Sequence, residues 1–288
     1  MSKYAVLYEP EGRAREFAQN MLGLNLRLTC GHGCKYPCYC PQFLHKKPED
    51  FHAPGGPYRD DLLDKLRDDL LYLRRIGDRR RVHLSFIGDP FEVGADNAIT
   101  QQAIEMLVEH GQPFQVLTKG GIKEVRGSLP LFRDGDGWLG QTILFTDDAL
   151  RRQWEPNASS IHQRIMLAET AHALGIPTWV SLEPCIYPEQ AQAVVDETAH
   201  CVDYYKVGGW NYNKVGSALI DWPAYWRGIH DMLQLSNRSY MVKEDMWPHL
   251  PSEGVAVVHE TREWHERIAY HEVRATTLRK ELRKDRGE

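Results

Sequence analysis

Residues 24–40 read LNLRLTCGHGCKYPCYC, and the fold follows from this stretch. Leu24, Leu26 and Leu28 alternate with polar neighbours, the pattern of a strand with one buried face, and the alternation stops at Cys30. A strand that runs into such a loop places the loop at its C-terminal end, where parallel α/β folds collect their reactive residues. Cys30, Cys34, Cys38 and Cys40 crowd into this loop, whereas Cys185 and Cys201 stand apart. Thiolates this close reach one metal centre only if the chain loops around it, and Gly31 and Gly33 supply the backbone freedom.

Outward from the loop, element types alternate. Leu63, Leu66, Leu70 and Leu73 recur at helical spacing, which predicts a helix over about 58–76 stopped by Gly77. Strands are predicted over 82–88, 114–118, 139–145, 178–183 and 204–207, with helices over 97–110, 159–174 and 188–201. Strands separated by helices call for parallel βαβ units with right-handed crossovers. Six such strands predict an α/β fold, an open (β/α)6 barrel of the TIM type. The tail from about Glu260 reads as a helix of mixed charge, and Arg79-Arg80-Arg81, just before a strand, reads as a solvated run on the bottom of the barrel.

The 288 residues suit one such barrel, and 42% hydrophobic with 26% charged residues excludes a wholly disordered or fibrous chain. A net charge of −5 gives no global pull toward nucleic acid or anionic lipid, so a polyanion site has to be local. No apolar run reaches the roughly 18 residues of a membrane helix, and the first residues carry charges where a signal peptide is apolar. The expected setting is the cytoplasm, without a membrane partner. In a reducing compartment, clustered cysteines point to metal before disulfides. Zinc sites usually join two separated Cys or His pairs, and no second pair of that spacing follows, so the spacing favours an iron–sulfur cluster.

The stretch CGHGCKYPCY resembles the cysteine motif of the spore photoproduct lyase-like branch of the radical S-adenosylmethionine (SAM) superfamily. The likeness continues through 86–94 (FIGDPFEVG), 116–121 (VLTKGG), 154–164 (WEPNASSIHQR), 175–184 (GIPTWVSLEP), 203–212 (DYYKVGGWNY) and 240–246 (YMVKEDM). On this basis 23–246 is expected to be the barrel domain, with 1–22 an N-terminal extension and 247–288 a largely helical C-terminal one. Two departures mark the chain. Pro37 lengthens the second gap, so the motif is C-x3-C-x3-C with Cys38 as third ligand, or C-x3-C-x5-C with Cys40; Cys38-Tyr39 matches the family's Cys-Tyr. Phe86 and Gly88-Asp89 stand where the lyase carries a cysteine hydrogen donor followed by Ser-Asp, which points away from repair of that photoproduct.

The resemblance implies a [4Fe-4S] cluster on Cys30, Cys34 and Cys38, SAM as second cofactor, and an electron donor of flavodoxin or ferredoxin type. It assigns the SAM amino group to Gly88 and Asp89, the carboxylate to Lys119, and the ribose to Thr142 or Glu183. Read singly, Asp89 before a proline is an ordinary turn former and Lys119 an ordinary solvated charge; their recurrence after successive strands is what suggests a site. Glu155 and Arg164 read equally well as helix-entry residues and are left outside the expected site. Cys185 is a candidate hydrogen donor, set against a small buried hydrophobe. DNA or a nucleotide-containing molecule is the implied substrate, with Arg279, Lys280, Arg283, Lys284 and Arg286 as phosphate contacts. A non-catalytic, zinc-stabilised nucleic-acid-binding module is the alternative, and it leaves the strand-end residues unexplained.

Overall fold

A computed structural model describes residues 3–251 and 256–285, with side chains as far as Thr277. One sheet holds eight strands in chain order: β1 (Leu22–Leu24), β2 (Val82–Leu84), β3 (Phe114–Thr118), β4 (Gly137–Thr142), β5 (Thr178–Ser181), β6 (Tyr204–Val207), β7 (Ser239–Val242) and β8 (Val258–His259). The first seven are parallel, and β8 returns antiparallel to β7. The sheet is an open barrel with β1 and β8 as its edges. Tyr8 covers the β1 edge by exchanging two backbone hydrogen bonds with Gly23, at 3.1 and 2.8 Å.

The predicted helix runs over Leu62–Ile76, starting later than expected, and Gly77 ends it in the left-handed region at φ +69°; Leu66, Leu70 and Leu73 are buried as expected, while Leu62 is buried and Leu63 only partly so. Asp69 of the same helix accepts the N–H groups of Ala5, Val6 and Leu7 at 2.7–2.8 Å, so the N-terminal segment is tied to the barrel by one carboxylate.

The sheet exceeds the six expected strands. Ser239–Val242 is buried at every position and therefore shows none of the alternation that marks a half-buried strand. β8 is only two residues long. The first strand is also shorter than its leucine pattern. After Leu24, Asn25 Oδ1 accepts the N–H groups of Phe86 and Ile87, both at 3.0 Å, and this side chain stands in for the ladder.

The described part of the helix Arg262–Asp285 closes the end of the barrel where the strands begin. Trp264 packs against Trp138 and Tyr204 with centroids 5.0 and 5.1 Å away, and His271 bonds the Gly137 carbonyl at 3.1 Å. The reading of Arg79–Arg81 as a solvated run holds for Arg79, which is exposed, and fails for Arg80 and Arg81, which are partly buried in ion pairs. Arg81 pairs with Asp136 at 2.8 Å and lies 3.8 Å over Trp138, Arg80 pairs with Asp78 at 2.7 Å, and Arg79 donates to the Gly111 carbonyl. The basic side chains expected to contact phosphate, Arg279 to Arg286, lie outside the described residues. Among the described residues no helix is long and apolar enough to cross a membrane.

Candidate functional site

The opposite end of the barrel, where the parallel strands finish, holds a cavity of about 260 Å³. Cys30, Cys34, Cys38 and Cys40 line one side of it. Gly88, Asp89, Lys119, Thr142 and Glu183, each just past or at the end of a different strand, line the same space. The cysteine loop is pinned by its backbone. The Cys30 N–H donates to Phe51 O at 2.9 Å, the Lys35 N–H to Trp154 O at 2.8 Å, and Asn157 Nδ2 to Gly31 O at 2.9 Å. Residues 154–157 thus act as the clamp on the loop, which gives the Trp-Glu-Pro-Asn stretch a structural reason. Gly88 sits at φ +80°, and a Cβ there would meet Thr29 O at 2.7 Å, so close backbone approach admits glycine alone.

The thiols differ in their readiness to ionise. Burial pushes the Cys34 thiol up to about 11 and holds Cys30 well above the usual range. Cys38 falls to about 7, chiefly because it is hydrogen-bonded by Cys40, whose own thiol is correspondingly raised. Among the described residues no three His, Cys, Asp or Glu side chains converge closely enough to grip a single ion.

Behind the thiols lies a charge network. Glu155 and Arg164 are both fully buried and pair at 2.7 Å. The other oxygen of Glu155 accepts the Tyr36 hydroxyl at 2.8 Å and stands 3.8 Å from Lys119 Nζ. Burial works against the Lys119 charge, but Cys34 and Glu155 outweigh it and raise its pKa. Burial works likewise against Glu155, and Arg164 and Lys119 overcome it, so the carboxylate is lowered. Asp89 is taken up by the protein itself. Its Oδ1 accepts the Phe91 N–H and the Thr118 hydroxyl, at 2.9 and 2.5 Å, and Oδ2 accepts the Lys119 N–H at 2.8 Å. It ties the turn after β2 to the end of β3 and sets the backbone from which Lys119 projects.

On the far side Glu183 accepts from Lys243 at 2.6 Å and from Asn211 at 2.8 Å. Lys243 and Asn211 both line the cavity, although neither belongs to the expected site. The signal for Lys243 was its place just after a strand, and that strand, β7, shows no alternation. Arg13 and Phe17 also line the cavity, from the short helix Gly12–Phe17 that precedes the barrel. Cys185 does not join them. Its thiol is 2% exposed, packs in the core beside Tyr225, and is pushed up to about 12 by burial.

No family model matches the chain, and no curated protein resembles it closely enough to count. Solved structures do share its fold. SuiB of Streptococcus suis bound to S-adenosylmethionine superposes with a TM-score of 0.60 at 12% identity, over 85% of this chain and 56% of that one. SuiB bound to its precursor peptide SuiA gives 0.54 at 11%, over 84% and 55%. Spore photoproduct lyase complexed with a dinucleoside spore photoproduct gives 0.54 at 16% identity, over 93% of this chain and 76% of that one. The chain therefore spans little more than half the length of SuiB and about three quarters of the lyase.

Proposed function

We propose that this chain is a radical SAM enzyme, a reading carried by one observation: the closely spaced thiols and the strand-end residues Lys119 and Glu183 face a single cavity. The shared fold with proteins solved with S-adenosylmethionine and with a dinucleoside supports it. The chemistry of the donor set fits a cluster: the four motif thiols line one side of the cavity, and the Lys119 ammonium near Cys34 offsets thiolate charge. Cys30, Cys34 and Cys38 would hold the [4Fe-4S] cluster, leaving Cys40 as the hydrogen-bond partner of Cys38.

A [4Fe-4S] cluster held there, reduced by a flavodoxin- or ferredoxin-type donor, would supply one-electron cleavage of the SAM sulfonium to methionine and a 5′-deoxyadenosyl radical able to take hydrogen from substrate. The chain's own residues orient SAM for this. Lys119, held by Glu155 and by the backbone tie to Asp89, presents a cation to the SAM carboxylate. Backbone oxygens of residues 88–90 would accept from the amino group, and Thr142 or Glu183 would accept from the ribose hydroxyls. DNA or a nucleotide-containing molecule is the substrate on this reading, and the described part of the C-terminal helix packs at the other end of the barrel from the site.

Anaerobic reconstitution tests the proposal. The expected result is a brown protein with about four irons per chain that forms 5′-deoxyadenosine from SAM when reduced. A colourless protein that retains one zinc, with no cleavage, would establish the zinc-stabilised binding module instead.

A further inference from the structure

Residues 10–21 run between two fixed points. Before them, Tyr8 exchanges backbone hydrogen bonds with Gly23 at the β1 edge, and after them comes β1 itself. In between, the chain crosses the open side of the barrel and touches the strands toward the other edge. Lys206 Nζ, from β6, donates to the Phe17 carbonyl at 2.9 Å, and the Glu244 N–H, just past β7, donates to the Glu16 carboxylate. The crossing is lightly built. Its helix, Gly12–Phe17, has six residues and no side-chain cap, and the backbone enters the left-handed region at Gly12 and Asn20, with φ +54° and +55°. Within 11–20 only Phe17 and Ala18 are buried. Phe17 lines the cavity, and its ring meets His83 and Trp179, which do not, with centroids 5.3 and 5.4 Å away. The ring is therefore a stopper between the cavity and the interior of the barrel.

Room in the cavity is short. It measures about 260 Å³, whereas a site for one drug-sized molecule takes about 300–1,000 Å³, and the radical SAM reading asks for a cluster, SAM and a substrate together. One wall has to move. The thiol loop is pinned through Cys30, Gly31 and Lys35, and Glu183 is held by Lys243 and Asn211. The crossing segment has the least to break. We propose that residues 10–21 are a strap that opens while the barrel stays folded, and that the seat Phe17 leaves receives an apolar group of the substrate. The inference rests on the radical SAM reading for the need of room; the motion itself belongs to the chain without its cofactors. His83, Phe86 and Trp179 around the ring give the seat its apolar, aromatic lining, and reclosure of the strap behind a bound molecule keeps water from the reacting groups.

Hydrogen–deuterium exchange of the full chain, free of cluster and SAM, measures the opening. The amides of Ala18 and Met21 are hydrogen-bonded to the Ala14 and Ala18 carbonyls, so their exchange reports on the strap. They should exchange faster than the amides of the helix Leu62–Ile76 by about tenfold or more, with that helix still protected. Phe17→Ala should speed them by about ten- to a hundredfold further, and Glu16→Ala, which keeps the ring, by about two- to tenfold. Toluene, close in size to the lost side chain, should bind the Phe17→Ala chain in calorimetry more tightly than the wild type by about tenfold or more. The proposal is overturned if the strap amides exchange no faster than those of Leu62–Ile76, since the strap would then open only with the whole fold. It is overturned equally if Phe17→Ala takes up no toluene, because the seat then collapses instead of holding a guest, or if Phe17→Ala weakens SAM binding to the cluster-loaded chain, because the ring then belongs to the SAM wall. Iron content and 5′-deoxyadenosine formation by the reduced wild type report on the radical SAM reading alone.

Discussion

Burial works against the charge of two lysines, one beside the thiols and one behind Phe17 on the far side, and their neighbours decide opposite outcomes. Lys119, beside the thiols, has Glu155 at 3.8 Å and Cys34 nearby, and these hold its pKa above the ordinary lysine value despite desolvation. Lys206, behind Phe17 on the far side, makes no ion pair among the described residues. It donates to the Phe17 carbonyl at 2.9 Å, lies 3.8 and 4.4 Å from the Phe17 and Trp179 rings, and is pushed down to about 7 by burial and by the neighbouring Lys243. The neighbours thus favour the charged form of Lys119 and disfavour that of Lys206.

The sharpest way to break this contrast is to empty the thiol wall. Cys30→Ala, Cys34→Ala and Cys38→Ala should each abolish cluster loading, from about four irons to under one per chain, while Cys40→Ala keeps it. Lys243→Met, on the far wall, should leave iron content at the wild-type level. Iron and sulfide analysis with visible absorbance decides. Full loading in Cys38→Ala with loss in Cys40→Ala would move the third ligand to Cys40.

Next in size is the network behind the thiols. Arg164 and Glu155 are fully buried, so Arg164→Ala strands a carboxylate without its main partner and should cost about 3–5 kcal/mol of unfolding free energy. Denaturant melts of the cluster-free protein measure this. A loss under about 1 kcal/mol would mean that Lys119 and Tyr36 alone suffice to satisfy Glu155.

This network shows where the sequence was legible and where it stopped. The cysteine loop, Gly88-Asp89 and Lys119 each follow a strand directly, so local pattern placed them correctly at one end of the barrel. Glu155 follows the last residue of the helix Asp148–Trp154, so the helix-entry reading fails for it, while Arg164 lies near the start of the helix Ile161–Ala173; only the fold reveals that both are sealed behind Lys119. The far wall was less legible still. Phe17 and Arg13 precede the barrel, Lys243 follows a strand without alternation, and Tyr212 comes from a loop; what unites them is long-range closure of an open sheet, which no local window contains. Asp89 shows the converse limit. Its position was legible, but its two oxygens are engaged by Phe91, Thr118 and Lys119, a matter of side-chain direction that spacing does not encode.

Charge beside the thiols is tested more gently by Lys119→Ala. Removing one charge-assisted contact should weaken SAM binding by about 1.5–3 kcal/mol, a factor of roughly ten to a hundred or more, with iron content retained. Equilibrium dialysis with labelled SAM reads it. Unchanged affinity would take Lys119 out of the SAM site and leave it as a counter-charge for the thiols.

The last effect belongs to the other lysine and appears only as a pH dependence. A lysine whose folded pKa is about 7, against 10.5 unperturbed, binds its proton more weakly in the folded chain than in the unfolded one. Between those limits the unfolded chain carries more protons, so raising the pH favours folding, and below about 7 both states are protonated and the full penalty applies. Lys206→Met removes the group while filling most of its volume. The stability difference between variant and wild type should therefore favour the variant most near pH 6–7, and shrink as pH climbs toward 10, with a slope approaching 1.4 kcal/mol per pH unit at most, an order-of-magnitude figure of about one proton. Urea melts at a series of pH values give this difference directly, and taking the difference cancels the other titrating groups that the substitution does not touch. A flat difference across that range would show that the rings and the Phe17 carbonyl stabilise the charged form well enough to keep Lys206 protonated, and the two walls would then hold their lysines alike.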